Sequence, residues 1–289
     1  MVYDSSMTTT RVSAVCAFVL AATATACVPF TVERWEREPI PPAGTVDTKL
    51  ADGPVFHLDR VRLHSTYLDD ARFFLALVPN GPEPIEAVVI LNHGFGDRPE
   101  ALLKHMPIER VYADLLRQRA VSRAVLILPD IQITMAYRRA HEHKPINLVT
   151  QFVVEEVAPL AARKYGVALL ERDRWSIGGF SFGGHVALDA ANRFSGRFGS
   201  AVVVSSFFEP FWKFWPDPAQ PRPRLLLACG SSDRFYRQMT DLHGLFTSSG
   251  LSHEWVTGPG GHTWEYWSSV LERMLRFQIG RTPGGPTPR

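Results

Sequence analysis

The sequence predicts a single α/β domain: a mostly parallel central sheet flanked by helices. Three observations predict it. Short unbroken apolar runs such as "EAVVILNHG" and "RAVLILPD" have the composition of strands buried on both faces, the pattern of parallel sheets. Segments of helical period fall between such runs, so strand and helix alternate towards the C-terminus. The chain has 289 residues, 45% hydrophobic and 21% charged, enough for one sizeable core, and carries no internal repeat or sign of a second domain.

The first residues stand apart from that pattern. Residues 1–27 read as an export signal: an arginine, an apolar run from Val12, and small residues ending at Cys27, with Met7 a second candidate start. The run is too short and too rich in threonine and alanine for a membrane span, which needs about 20 mostly apolar residues. The "ATAC" before Val28 has the form of a bacterial lipoprotein cleavage box, in which Cys27 is lipidated and attaches the protein to a membrane, although Ala24 stands where such boxes usually carry leucine. Simple secretion is the alternative, so the protein is expected outside the cytoplasm, in the cell envelope or secreted. Residues 28–54, rich in proline and charge, read as a linker or irregular leader.

The folded domain is expected over residues 55–280, with 281–289 a disordered tail. "VFHLDRVRLHS" and "ARFFLALVP" predict antiparallel strands, and the two apolar runs above predict parallel ones. Residues 111–119 and 148–165 carry a helical period, the second interrupted by Pro159, which should kink or split it. Then follow the strand "RWSIGGF", a helix from Phe182, the strands "SAVVVSS" and "RLLLACG", a helix over residues 235–248, the strand "HEWVTG" and a last helix over residues 263–277. Cys229, within an apolar run, reads as a buried inert thiol, and no structural disulfide is expected. Residues 205–223 pack aromatic and proline residues between two strands. They are expected to wall the substrate cleft, with Phe208, Phe211, Trp212 and Trp215 as binding residues.

One serine is set among glycines where strand gives way to helix. "GFSFG" fits the G-x-S-x-G nucleophile elbow, in which a sharp turn exposes the hydroxyl of Ser181 while Gly179 and Gly183 allow close backbone approach. A serine hydroxyl needs an adjacent base, and chains with this elbow run serine, acid, histidine. Of His185, His243, His253 and His262, only His262 lies in a glycine-rich loop after the last strand, "GPGGHTWEYW". Asp233, just past the strand ending near Cys229, is the matching acid; aspartate also favours helix N-caps at such positions and both roles could coexist, but the place relative to the strand favours catalysis. Glu209 and Asp217 are the fallback acids. The oxyanion donors are expected to be the backbone N–H of Phe182 and of Phe95, with Gly94 as second choice for the latter. Such a donor typically contributes about 3 kcal/mol of transition-state stabilisation.

Other chemistries fit less well. Lys plus Arg number 31 against 29 Asp plus Glu, a net charge of +2 without clustering, which leaves no nucleic-acid footprint. "HEH" at His141–His143 lacks the i, i+4 spacing of a zinc helix, and no glycine loop for phosphate appears, so neither metal nor cofactor is expected.

"LNHGFGD", "LPDI", "FVVEEVAPLAARKYGV", "IGGFSFGGHVAL", "LLACGSSDRFY" and "GPGGHTWEYW" together resemble the esterase D or "putative esterase" group of α/β-hydrolases, over residues 55–277. That group includes feruloyl, acetyl and siderophore esterases and the mycolyltransferases. The resemblance implies the α/β-hydrolase fold, with Ser181, Asp233 and His262 as nucleophile, acid and base and Phe182 and Phe95 as oxyanion donors. Phe182 stands where many members carry methionine. It further implies a carboxylic ester hydrolase acting on a small-molecule or glycan ester through an acyl-enzyme. Acyl transfer to an alcohol by the same residues is the alternative, and a non-catalytic ligand-binding surface protein is a third. For His262 to act as base its imidazole must be neutral.

Overall fold

A computed structural model describes residues 46–133, 145–208, 214 and 220–280. The residues read as an export signal, with Cys27, the "HEH" segment, the candidates Glu209, Phe211, Trp212, Trp215 and Asp217, and residues 281–289, read as a tail, lie outside the described residues.

Strands β1 (Val46–Asp52), β2 (Phe56–Ser65) and β3 (Asp70–Pro79) pair antiparallel. β4 (Ala87–Asn92), β5 (Ala124–Pro129), β6 (Trp175–Phe180), β7 (Ser200–Val204), β8 (Arg224–Gly230) and β9 (Glu254–Gly258) run parallel. The nine-stranded sheet has the order β1-β2-β3-β5-β4-β6-β7-β8-β9, with β3 meeting β5 antiparallel. Every residue of β4, β5, β6 and β7 is buried, which is why these strands read as continuous apolar runs.

Each sheet face is covered by helices. On one face, Val88 and Ile90 of β4 join a core with α3 (Pro145–Gln151), α4 (Ala158–Tyr165), α5 (Phe182–Arg193) and α6 (Tyr236–Ser248), through side chains such as Val149, Leu160, Val186 and Met239. On the other, Val89 and Leu91 pack with α1 (Pro99–His105), α2 (Ile108–Arg117) and α7 (Trp264–Ile279), through Leu102, Tyr112 and Leu271. Successive strand residues point to opposite faces, so one apolar run feeds both cores. This is the α/β-hydrolase architecture expected above.

Two elements differ from the sequence reading. The leader read as irregular to residue 54 ends in a strand, β1, laid along β2 with shifts in register. An edge strand is held by backbone hydrogen bonds to one neighbour and needs no apolar run, so composition does not betray it. Helix α1, only seven residues long with Pro99 at its start, is too short to show a period. At Pro159 the chain stays helical: a π-helical turn over Phe152–Val157 joins α3 to α4, and Pro159 falls in the first turn of α4. The wider hydrogen-bonded rings of the π turn, closed by the Ala158 N–H on the Val153 carbonyl, carry the helix past a residue that has no N–H to donate.

Cys229 is fully buried in β8, and burial pushes its thiol up to about 12, consistent with an unreactive core residue.

Candidate active site

The carboxyl ends of the parallel strands carry every candidate residue within the described chain. Ser181 sits between β6 and α5 at φ 55°, ψ −119°, a conformation that side chains resist. Three hydrogen bonds hold it there. Its N–H donates to the Val204 carbonyl at 2.9 Å, and its own carbonyl accepts from the His185 N–H at 3.1 Å and from the Ser206 hydroxyl at 2.8 Å. The flanking glycines have a steric cause: a Cβ on Gly179 would lie 2.3 Å from the Gly183 backbone, and one on Gly183 would lie 2.2 Å from the Asn92 carbonyl oxygen. The turn therefore closes only without side chains at these two positions.

Asp233 follows β8 and His262 follows β9, and backbone bonds staple the two loops together. The Ser231 N–H donates to the Gly258 carbonyl at 2.8 Å, and the Ser232 N–H to the Gly260 carbonyl at 2.9 Å. The structure brings Ser181, Asp233 and His262 into one line. His262 Nδ1 is 3.0 Å from Asp233 Oδ2 and 3.1 Å from Oδ1, and His262 Nε2 is 3.0 Å from Ser181 Oγ. An ionised carboxylate only accepts, so the proton is assigned to Nδ1, leaving the Nε2 lone pair to face the serine hydroxyl. Trp267 and Phe235 meet the imidazole edge-on, with centroids at 5.1 and 5.2 Å, and the Asp233 side chain is fully buried.

Asp233 does not cap the next helix, whose N-cap is Phe235, but it bonds to the backbone just ahead of it. Its Oδ1 accepts the Phe235 N–H at 2.8 Å, just before α6 begins. Burial pushes its carboxyl up, but the hydrogen bonds from His262 and from the Phe235 amide outweigh that and hold it below the ordinary carboxylate value. It therefore stays ionised through the neutral range. The remaining histidines are engaged elsewhere: His185 Nδ1 lies 2.9 Å from the Phe207 carbonyl, and His243 pairs with His253 at 2.7 Å between α6 and β9.

The second loop of the site leaves β4 as Asn92, His93, Gly94 and Phe95. Phe182 opens α5 directly after Ser181, placing the positive end of that helix at the nucleophile. The Phe95 and Phe182 rings meet edge-on at 6.1 Å, so the two proposed donor segments lie side by side. His93 pins this loop. Fully buried, it donates from Nδ1 to the Gly94 carbonyl at 2.8 Å and accepts the Ile131 N–H on Nε2 at 3.1 Å, a pattern only the neutral ring satisfies. Burial pushes its imidazole down to about 4, against about 6.5 for a free imidazole. Between those values the unfolded chain binds a proton that the folded chain refuses, so stability rises with pH across that window. The parent is expected to lose about 3 kcal/mol more on going from pH 7 to pH 4 than a His93→Gln variant does, read from urea unfolding midpoints.

Aromatic side chains extend from the line on both sides. Phe207 stacks on His185 at 4.2 Å and meets Phe235 at 5.5 Å, while Trp267 meets Trp264 at 4.8 Å and Trp264 stacks on His105 at 5.1 Å. Phe208, the one described member of the expected substrate wall, instead packs with Phe214, which in turn meets Phe246 of the core. Its neighbour Phe207 meets Phe235, which touches His262. Neighbouring residues in an irregular loop do not alternate predictably, so composition does not tell which of two adjacent phenylalanines turns to the core.

A family model described as Putative esterase matches residues 65–278. No curated protein sequence matches the chain. Among solved structures, an S-formylglutathione hydrolase from Staphylococcus aureus is similar at 19% identity and a TM-score of 0.62, covering 80% of this chain and 100% of that one. A ferulic acid esterase is similar at 18% identity and a TM-score of 0.67, covering 78% and 98%. A ferulic acid esterase from Anaeromyces mucronatus in complex with ferulic acid is similar at 17% identity and a TM-score of 0.65, covering 83% and 99%.

Proposed function

The chain belongs to the Putative esterase family, and from that premise we propose that it hydrolyses a carboxylic ester through an acyl-enzyme on Ser181. The observation that carries this reading is the line Asp233–His262–Ser181, joined at 3.0 Å on either side of the imidazole, with the serine held in a strained turn. In the proposed reaction Ser181 Oγ bonds to the ester carbonyl carbon as its proton passes to His262 Nε2. Asp233 stabilises the imidazolium that forms. The backbone N–H groups of Phe182 and Phe95 receive the negative charge developing on the carbonyl oxygen. Collapse breaks the bond to the alcohol, which takes the proton from His262. Water then repeats the sequence against the acyl-enzyme, releasing the acid and restoring Ser181.

The aromatic groups Phe207 and Phe235 suit an apolar or aryl acyl group, in keeping with the ferulic acid bound by the Anaeromyces mucronatus relative. In the same reading residues 1–27 direct export, Cys27 is the lipid attachment point if the signal is of lipoprotein type, and the domain acts outside the cytoplasm.

Rapid mixing with 4-nitrophenyl acetate tests the acyl-enzyme. The expected result is a burst of nitrophenolate equal to the enzyme concentration, with one acetyl group recovered on the peptide containing Ser181 after acid quench. Turnover with acetyl on no residue, or on a residue other than Ser181, would refute the covalent route.

A further inference from the structure

Asp97 lies in the same loop as the proposed oxyanion donor Phe95. A tight turn, with the Asp97 N–H donating to the Gly94 carbonyl at 3.3 Å and Gly96 at φ 84°, folds its side chain back over Gly94. A Cβ added to Gly94 would lie 3.1 Å from Asp97 Oδ2 and 3.7 Å from the Cβ of Ser181, so the carboxylate and the nucleophile flank the same glycine. Asp97 is half-buried, and among the described residues its side chain makes no ion pair or hydrogen bond. Burial pushes its carboxyl above the ordinary carboxylate range, and His105 partly offsets this.

An unpaired carboxylate is out of place there. Negative charge develops on the ester oxygen in the transition state, and a second negative charge beside it opposes that development. Among the described residues no cation contacts Asp97, and His105 offsets its charge only in part. A cation carried by the substrate would answer both this repulsion and the cost of partly desolvating Asp97. Trp264 fits such a group: partly exposed, its ring meets the buried Trp267 that touches His262, and it stacks on His105, whose charge reaches Asp97, and aromatic rings attract ammonium groups.

We propose that Asp97 is a specificity-determining residue that pairs with a cationic group on the alcohol portion of the ester, so that ammonium-bearing esters are the favoured substrates. The proposal rests on the ester-hydrolase reading of Ser181. It is tested by comparing kcat/KM for acetylcholine and its neutral isostere 3,3-dimethylbutyl acetate, with 4-nitrophenyl acetate as the reference for esterase activity. The parent is expected to favour acetylcholine by about tenfold, or about 1.4 kcal/mol. In Asp97→Asn the ratio should fall to about one, while Asp97→Glu should keep part of the preference. A ratio near one in the parent, or the same preference in Asp97→Asn, would overturn the assignment of Asp97 while leaving the esterase reading intact. Turnover of 4-nitrophenyl acetate without turnover of either alkyl ester would do the same. Failure of the parent on all three esters would overturn the esterase reading and this inference with it.

Discussion

Ser181→Ala is expected to lower kcat on 4-nitrophenyl acetate by about 10⁶-fold, and adding His262→Ala is expected to cost almost nothing more. The reason lies in the division of labour along the line. The His262 lone pair is useful only if a hydroxyl stands 3.0 Å away to give up its proton, and the hydroxyl is nucleophilic only while that lone pair faces it. Either loss removes the covalent route whole. What survives should be the smaller acceleration from backbone donors around Phe182 and Phe95, which neither substitution touches. Steady-state kinetics of the two single variants and the double variant check this. Costs that multiply would mean that the two side chains act independently, against the geometry described.

Asp233→Asn is expected to lower kcat by about 10⁴-fold with little change in fold. The Phe235 N–H needs an acceptor at Oδ1, where the distance is 2.8 Å, so the amide oxygen of the new asparagine should take that place. Its NH₂ group then faces His262 Nδ1, which must become an acceptor, and the ring proton moves to Nε2. A protonated Nε2 can no longer accept from Ser181. The substitution thus inverts the tautomer while preserving shape, and loss of the negative charge leaves any imidazolium unsupported. A variant retaining more than about a tenth of parental kcat would show that the carboxylate does not orient the ring as proposed.

Sequence and structure agree most closely where physics is local. The parallel strands β4 to β8 were legible because burial on both faces leaves an unbroken apolar run. Ser181 was legible because only a steric demand explains glycines that weaken both the strand before it and the helix after it. His262 followed from its place in a glycine-rich loop past the last strand, and Asp233 from the same logic one strand earlier. Features that depend on partners distant in the chain were not legible. β1 exists through its ladder to β2, and Phe207 joins the site because its ring meets His185 and Phe235. His93 was seen only as part of a loop, since its task of tying that loop to Ile131 depends on a contact 38 residues away. Asp97 gave no signal at all: an aspartate beside glycine and proline in a polar turn has the composition of any surface loop.

Everything proposed for the site depends on Ser181 being an activated nucleophile. Intact-mass analysis of the domain from about residue 29 onward, after treatment with a fluorophosphonate and with Ser181→Ala alongside, tests this most directly. One phosphonyl adduct on the parent and none on the variant is the predicted result. A folded parent that takes up no adduct, or a variant that takes up as much as the parent, would contradict it.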